Sequence, residues 1–316
     1  MAKFFLGFDT SCYTTSLAVV DADGNVVHDE RKLLPVATGE HGLRQSDGVF
    51  HHVRHLSEVW EGFSLPTEIA AVAVSAKPRP VADSYMPVFL VGLAVAAGIA
   101  NSKDIPLYKF SHQEGHIAAG LPALQAKEPF LAVHISGGTT EVLRVTPRLH
   151  RAGFAIDLLS GTTDLSAGQM IDRVGVALGL PFPAGPHLEK LAMQATGQIR
   201  LPSVASAKGL SFSGPCSAAL RLIEQGESPA EIACATLRVV ANSLEKSLRR
   251  AADEQGLAQV LLVGGVMSNR LIRQRLEHRL AGRLQLHFAP RRLCTDNAVG
   301  IAHLARSQYL FNKEGG

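Results

Sequence analysis

One local pattern occurs at two places far apart in the chain, and this repeat restricts the fold more than any other feature. Near the N-terminus an apolar run, Phe4 to Phe8, leads into the polar turn Asp9-Thr-Ser-Cys-Tyr-Thr-Thr15 and a second apolar run, Ser16 to Val20. Phe130 to Ile135 leads in the same way into Ser136-Gly-Gly-Thr-Thr140 and then Glu141 to Val145. Apolar runs joined by tight polar turns read as antiparallel strands. A single recurrence at long interval indicates a duplicated domain rather than a solenoid. We therefore expect an α/β chain of two related domains. The first covers 1–116 and is completed by a C-terminal helix at 296–311; the second covers 117–295. With 316 residues the chain can bury two cores.

Between the repeats, a third strand starts at Val26 to His28, a helix runs from about Gln45 to Trp60, and Ala70 to Val74 is a short strand. Three prolines make Ser75 to Pro87 a loop. The apolar run Val88 to Ala100 is too short to span a bilayer and reads as a buried helix. A strand near Pro106–Tyr108 then leads to His112-Gln-Glu-Gly-His116. Later, Gln259 to Val263 is a strand before Gly264-Gly-Val-Met-Ser-Asn269 and a helix, Arg270 to Leu280, and Cys294-Thr-Asp-Asn297 opens the helix Ala298 to Tyr309.

Hydrophobic residues at 46% and charged residues at 19% argue for a folded, soluble chain. A net charge of +3 allows an RNA partner without requiring one. Cys12, Cys216, Cys234 and Cys294 form no C-x-x-C pair, which suits reduced thiols and a cytoplasmic setting. The N-terminus meets Asp9 too early for a signal peptide. No membrane association is expected.

His112 and His116 stand four residues apart, so a helix would put both imidazoles on one face for a divalent metal. Asp296, at a helix start, is a candidate anionic ligand or a plain N-cap. Glu114 would lie roughly 200° around the helix from His112, which argues against the zinc-peptidase mechanism of H-E-x-x-H chains. Ser136, Gly137, Gly138, Thr139 and Thr140 form either an anion-binding nest or an ordinary hairpin turn. Gly264 and Gly265 either open a helix toward an anion or permit close packing. Gly185 lies in the bend Phe182-Pro-Ala-Gly-Pro186, and Asp172 either accepts ribose hydroxyls or is an exposed helical acid. His51, His52 and His55 read as a solvated helix face, Trp60 as core or interface, and Lys77 and Arg79 as phosphate contacts or solvated side chains.

The order of these turns is that of the actin, sugar-kinase and heat-shock-chaperone superfamily, in which two actin-like domains flank a nucleotide cleft. Within it the chain resembles the tRNA threonylcarbamoyladenosine transferases, once called O-sialoglycoprotein endopeptidases. The motifs are Gly7-Phe-Asp-Thr-Ser-Cys-Tyr-Thr-Thr15, His112-Gln-Glu-Gly-His116, Ser136-Gly-Gly-Thr-Thr140, Ser166-Ala-Gly-Gln-Met-Ile-Asp172-Arg173 and Phe182-Pro-Ala-Gly-Pro186. Leu210-Ser-Phe-Ser-Gly-Pro-Cys216, Gly264 to Arg273 and Cys294 to Asn297 follow in the family's order. The resemblance implies iron or zinc on His112, His116 and Asp296. It implies an adenine nucleotide, ATP or threonylcarbamoyl-AMP, lined by Gly138, Thr140, Asp172, Gly185 and Asn269. It further implies transfer of threonylcarbamoyl to N6 of the adenosine beside the tRNA anticodon, with a smaller actin-like subunit and an ATPase as partners.

The chain departs from the family at chemically important positions. Asp9 and Tyr13 are the candidate catalytic positions, Tyr13 standing where the family has its first-turn acid; the histidine of S-G-G-H-T is Thr139; the lysine after F-S-F-S-G-L is Cys216; and a proline-rich stretch, Lys77-Pro-Arg-Pro80, replaces a glycine-rich loop. Two readings follow: a transferase with an altered catalytic set, or a non-transferring paralogue that regulates or joins a true transferase.

Overall fold

The computed structural model describes residues 3–11, 13–36, 43–61, 63–124, 127–162, 164–202, 204–206 and 209–314. Cys12 lies outside them. The N-terminal half runs β1 (Phe4–Ser11), β2 (Thr14–Asp21), β3 (Val26–Leu33), α1 (Gln45–Glu61), β4 (Ile69–Lys77), α2 (Phe89–Lys103), β5 (Leu107–Ser111) and α3 (His112–Leu124). Next come β6 (Phe130–Ile135), β7 (Thr140–Pro147), β8 (Phe154–Gly161), α4 (Ala167–Ala177) and α5 (Gly185–Ala192). The short hairpin β9 (Val204–Ser206) and β10 (Gly209–Ser211) precedes α6 (Ser213–Glu224) and α7 (Pro229–Gln255). The chain finishes with β11 (Gln259–Val263), α8 (Arg270–Leu280), β12 (Gln285–Phe288), α9 (Arg291–Cys294) and α10 (Val299–Glu314).

The repeat becomes two sheets of the same topology. One has the order β3-β2-β1-β4-β5, the other β8-β7-β6-β11-β12. In each, three antiparallel strands meet two parallel ones. Successive side chains on a strand face opposite sides, and β1 obeys this closely. Leu6 and Phe8 join Leu17, Val72 and Val74 under α1 and α2, whereas Phe5 joins Ala18, Ala71 and Ala73 in the core continuous with the second sheet.

α3 and α10 run through the middle of the molecule. They touch backbone to backbone: a Cβ on Gly300 would collide with the Gly115 carbonyl oxygen, and one on Gly115 would sit 2.9 Å from Ile301 Cδ1. Gly7 makes the same allowance for α10 against β1, where a Cβ would meet the Ala298 oxygen at 2.6 Å. α3 begins at the carboxyl end of β5, the side on which open α/β sheets bind ligands, and α10 starts after the short helix α9.

One expectation fails. His52 and His55 are buried, not solvated, because α1 lays that face on the first sheet. His52 Nδ1 is 2.8 Å from Thr15 Oγ1, and burial pushes its pKa down to about 4. Trp60 packs against Phe8, with ring centroids 5.9 Å apart.

Two outcomes test this packing. Gly300→Ala should lower the urea midpoint by about 1–3 kcal/mol or more in stability, with loss of metal binding because the collision lies one residue from His116. Because His52 titrates lower when folded than when unfolded, its stabilising contribution is complete above pH 6.5 and is lost as pH falls toward 4. Urea titrations between these pH values should show that decline, and His52→Gln should flatten it.

Candidate metal centre and nucleotide cleft

β5 delivers His112 at the first position of α3, and His116 follows one turn later on the same face. Asp296 arrives from the loop between α9 and α10. It is free to face the histidines because Asn297 takes the capping role, its Oδ1 accepting from Val299 N at 3.1 Å. His116 Nε2 lies 3.1 Å from His112 Nε2 and 3.2 Å from Asp296 Oδ1, and His112 Nε2 lies 3.5 Å from that oxygen. Ligand atoms about 2.0–2.1 Å from a tetrahedral cation would be about 3.3–3.4 Å apart, so the three donors fit one metal ion.

Asp9 stands behind this triangle. Its Oδ2 accepts from His112 Nδ1 at 2.6 Å and from Ser75 Oγ at 2.9 Å, while Oδ1 accepts from Ser11 N at 2.9 Å. The carboxylate fixes a proton on Nδ1 and turns the Nε2 lone pair toward the cluster, as outer carboxylates do for metal-binding imidazoles. Burial alone would push His112 down, but the Asp9 charge and bonds to Asp296 and Asp9 outweigh it and raise it to about 10. Burial, with His112 nearby, lowers His116 to about 4. Burial would raise Asp296, yet both histidines hold it well below the usual carboxylate range. The cluster is built to hold one positive charge.

Glu114 points elsewhere: its Oε2 accepts from Ser111 N and Oγ at 2.9 and 2.8 Å, away from the three donors. The rotation expected from helical geometry therefore holds.

Two cavities of about 520 and 500 Å³ meet at this cluster and share Tyr13, Ser136, Gly137, Gly138 and Asp296. The first is also lined by Arg79, Phe89, His112, Gln113, His134 and Glu141. The second is also lined by Pro35, Gln169, Asp172, Phe182, Gly265 and Thr295. Tyr13 occupies the junction, its ring edge-on to Phe182 with centroids 6.0 Å apart.

The Ser136–Thr140 turn is rigidly mounted. Ser136 N donates to Thr139 O at 3.0 Å, Ser166 Oγ to Gly137 O at 2.7 Å, and Ala167 N to Thr140 Oγ1 at 2.9 Å. Among the described residues nothing accepts from the Gly137 or Gly138 amides, and a Cβ on Gly138 would meet only open space. Those amides are available to an anion. Ser136 to Thr139, Asp172 and Gly265 reach cavity walls. Thr140, Gly185, Gly264 and Asn269 stand behind them. Gly264 adopts φ +98° against β6, where a Cβ would strike Ile135, and Asn269 Oδ1 caps α8 by accepting from Ile272 N at 3.0 Å. Asp172 Oδ1 accepts from Ala184 N at 2.8 Å, tying the Phe182–Gly185 bend to α4.

Two cavity residues, His134 and Glu141, were not singled out from the sequence. His134 is 3% exposed, its ring 4.9 Å from that of His116, and among the described residues neither ring nitrogen has a hydrogen-bond partner. Its cross-strand neighbour is Glu141, 3.8 Å away. Glu141 also accepts from Gln113 Nε2 at 2.6 Å and pairs with Arg79 at 2.5 Å. Arg79 thus bridges to the second sheet, while Lys77 Nζ turns back to Val81 O. The available signal was a histidine inside the otherwise apolar run Phe130 to Ile135.

The folded chain resembles solved actin-like proteins of two halves. Component A of the Acidaminococcus fermentans (R)-2-hydroxyglutaryl-CoA dehydratase aligns with a TM-score of 0.62 and 15% identity, covering 97% of this chain and 99% of that one. A ROK family glucokinase from Streptomyces griseus aligns with a TM-score of 0.54 and 14% identity, over 96% and 99%. These likenesses define an actin-like α/β fold. Sequence comparison goes further. The family model described as tRNA N6-adenosine threonylcarbamoyltransferase matches residues 64–303. The tRNA N6-adenosine threonylcarbamoyltransferase of Geobacillus kaustophilus (strain HTA426) is 34% identical over 95% of this chain and 90% of its own length. The protein of that name from Bacillus licheniformis is 30% identical over the same shares. The chain belongs to the tRNA N6-adenosine threonylcarbamoyltransferase family.

Asp9→Asn tests the metal centre. It should weaken metal binding by about 10–100-fold, measured as metal retained after dialysis against a graded chelator, while His116→Ala should abolish it.

Proposed function

We propose that the chain transfers the threonylcarbamoyl group of threonylcarbamoyl-AMP to N6 of the adenosine beside a tRNA anticodon, with iron or zinc held by His112, His116 and Asp296. The observation that carries this reading is the meeting of two cavities at one cation-holding cluster, as a two-substrate transfer requires. Family membership supplies the reaction class.

The second cavity takes the adenylate. The Gly137 and Gly138 amides donate to its phosphate, Asp172 and Gly265 line the nucleoside side, and Thr140, Gly185, Gly264 and Asn269 hold those walls in place. The first cavity takes the acceptor base. There the exocyclic nitrogen attacks the carbamoyl carbon, the bond from that carbon to the phosphate oxygen breaks, AMP leaves, and the nitrogen gives up a proton. A bound divalent metal supplies Lewis-acid stabilisation of the charge that develops.

Tyr13 is a poor base at neutral pH, since a phenol has a reference pKa of about 10. Asp9 is engaged behind His112, which makes it a positioning residue. Glu141 is the buried carboxylate on the acceptor side, and it accepts the proton once Arg79 lets go of it. A tRNA partner, accessory actin-like and ATPase subunits, and a cytoplasmic setting belong to the same reading; no helix among the described residues is long and apolar enough to cross a membrane.

Incubation of the purified protein with zinc or ferrous ion, threonylcarbamoyl-AMP and unmodified tRNA should yield modified adenosine by nucleoside mass spectrometry. Glu141→Gln should reduce the rate by about 10²–10⁴-fold, and Tyr13→Asp should raise it. No modified adenosine, even with partner proteins added, would sink the proposal.

A further inference from the structure

Away from the cleft, α7 and α8 pack side by side, and three arginines converge on a further cavity of about 380 Å³. Arg238 comes from α7, Arg275 from α8, and Arg200 from the segment after α5; Leu201, Ala235 and Asn242 complete most of the wall. No carboxylate lines this cavity.

Four arginines on or near these helices are each matched by an acid. Arg249 and Arg279 pair with Glu245 at 3.1 and 2.8 Å, Arg250 with Glu254 at 2.7 Å, and Arg283 with Asp253 at 2.6 Å. The three inside are not. Arg238 donates to the Gly197 carbonyl at 3.0 Å and the Cys234 sulfur at 3.3 Å, both neutral groups. Arg275 Nε donates to Asn242 Oδ1 at 2.7 Å. Among the described residues its terminal nitrogens have no partner, and neither has the exposed Arg200 guanidinium.

Arg238 and Arg275 are half-buried. Holding like charges together and partly out of water is unfavourable, and Glu245, the nearest acid, is itself engaged by Arg249 and Arg279. Burial first, then the Arg238 and Arg279 charges, outweigh the attraction of Glu245 and push Arg275 below its ordinary value. The neutral partners of Arg238 and Arg275 lock both side chains in place, so the charge is preorganised rather than free to swing into solvent.

We propose that this cavity binds a phosphorylated small molecule, its phosphate gripped by the Arg275 and Arg200 guanidiniums with Arg238 supplying charge from behind. Planar guanidinium forks match phosphate oxygens in pairs. A compact ligand fits better than an RNA strand, because Arg249, Arg250, Arg279 and Arg283 on the adjoining turns are already neutralised by acids and offer no free charge to successive phosphates. The site is separate from the cleft and independent of the transfer reaction.

The test uses the full chain with the cleft filled by metal and a non-hydrolysable ATP analogue. Inorganic pyrophosphate is then titrated by calorimetry at about 0.15 M salt, where surface charges are well screened. One saturable event per chain is expected. It should weaken by about tenfold or more in Arg275→Gln and in Arg200→Ala, given the strength of hydrogen bonds to charged groups, while analogue binding in the cleft stays unchanged. Arg200 has no partner to lose, so Arg200→Ala keeps the test sound if Arg275→Gln misfolds. No saturable event, or one that both substitutions leave intact, would overturn the proposal. So would an absence of pyrophosphate binding combined with weaker tRNA binding in both variants, which would assign the cavity to an RNA backbone.

Discussion

The contact between Gly115 and Gly300 sets the geometry on which the rest depends. With no Cβ on either residue, α3 and α10 approach closely enough for backbone atoms to touch. That approach brings Asp296, 180 residues later in the chain, within hydrogen-bond distance of His116. Gly7 repeats the device one layer down, seating α10 directly on β1, the strand that carries Asp9. Three glycines therefore fix the distances among a carboxylate from the C-terminal loop, two imidazoles from α3 and the acid that orients one of them. Interiors are close-packed and tolerate little extra volume, so this arrangement has little freedom to drift.

The same closeness explains the electrostatics. Two imidazoles and two carboxylates that are buried or largely so are costly to hold together unless one positive charge is shared among them. Asp9 and Asp296 raise His112 while burial and His112 lower His116, so the cluster favours a single positive charge. Tyr13 fills the junction of the cavities with an aromatic ring, and Arg79, from the proline-rich stretch, reaches across to Glu141.

Much of this was legible in the sequence because it depends on local pattern. The strand–turn–strand repeat reports the period-2 alternation of β1–β2 and β6–β7 directly, and the four-residue spacing of His112 and His116 needs only a helix. α7 is not among the elements read from the sequence, although Leu237, Val240, Leu244 and Leu248 mark an apolar stripe along it. His52 and His55 were misread because polar type suggests solvent, whereas Thr15 on β2 offers a buried partner. His134 and Glu141 escaped notice because their meaning comes from cross-strand register and from helix α3 beneath them, neither of which the linear order displays.

The most direct measurement is X-ray absorption at the metal edge of the reconstituted protein, without and with a non-reactive analogue of the adenylate. The account predicts two imidazole nitrogens and one carboxylate oxygen at about 2.0–2.2 Å, with a spectrum that changes when the analogue enters the adjoining cavity. A sulfur ligand, or a metal surrounded by water alone and indifferent to the analogue, would contradict it.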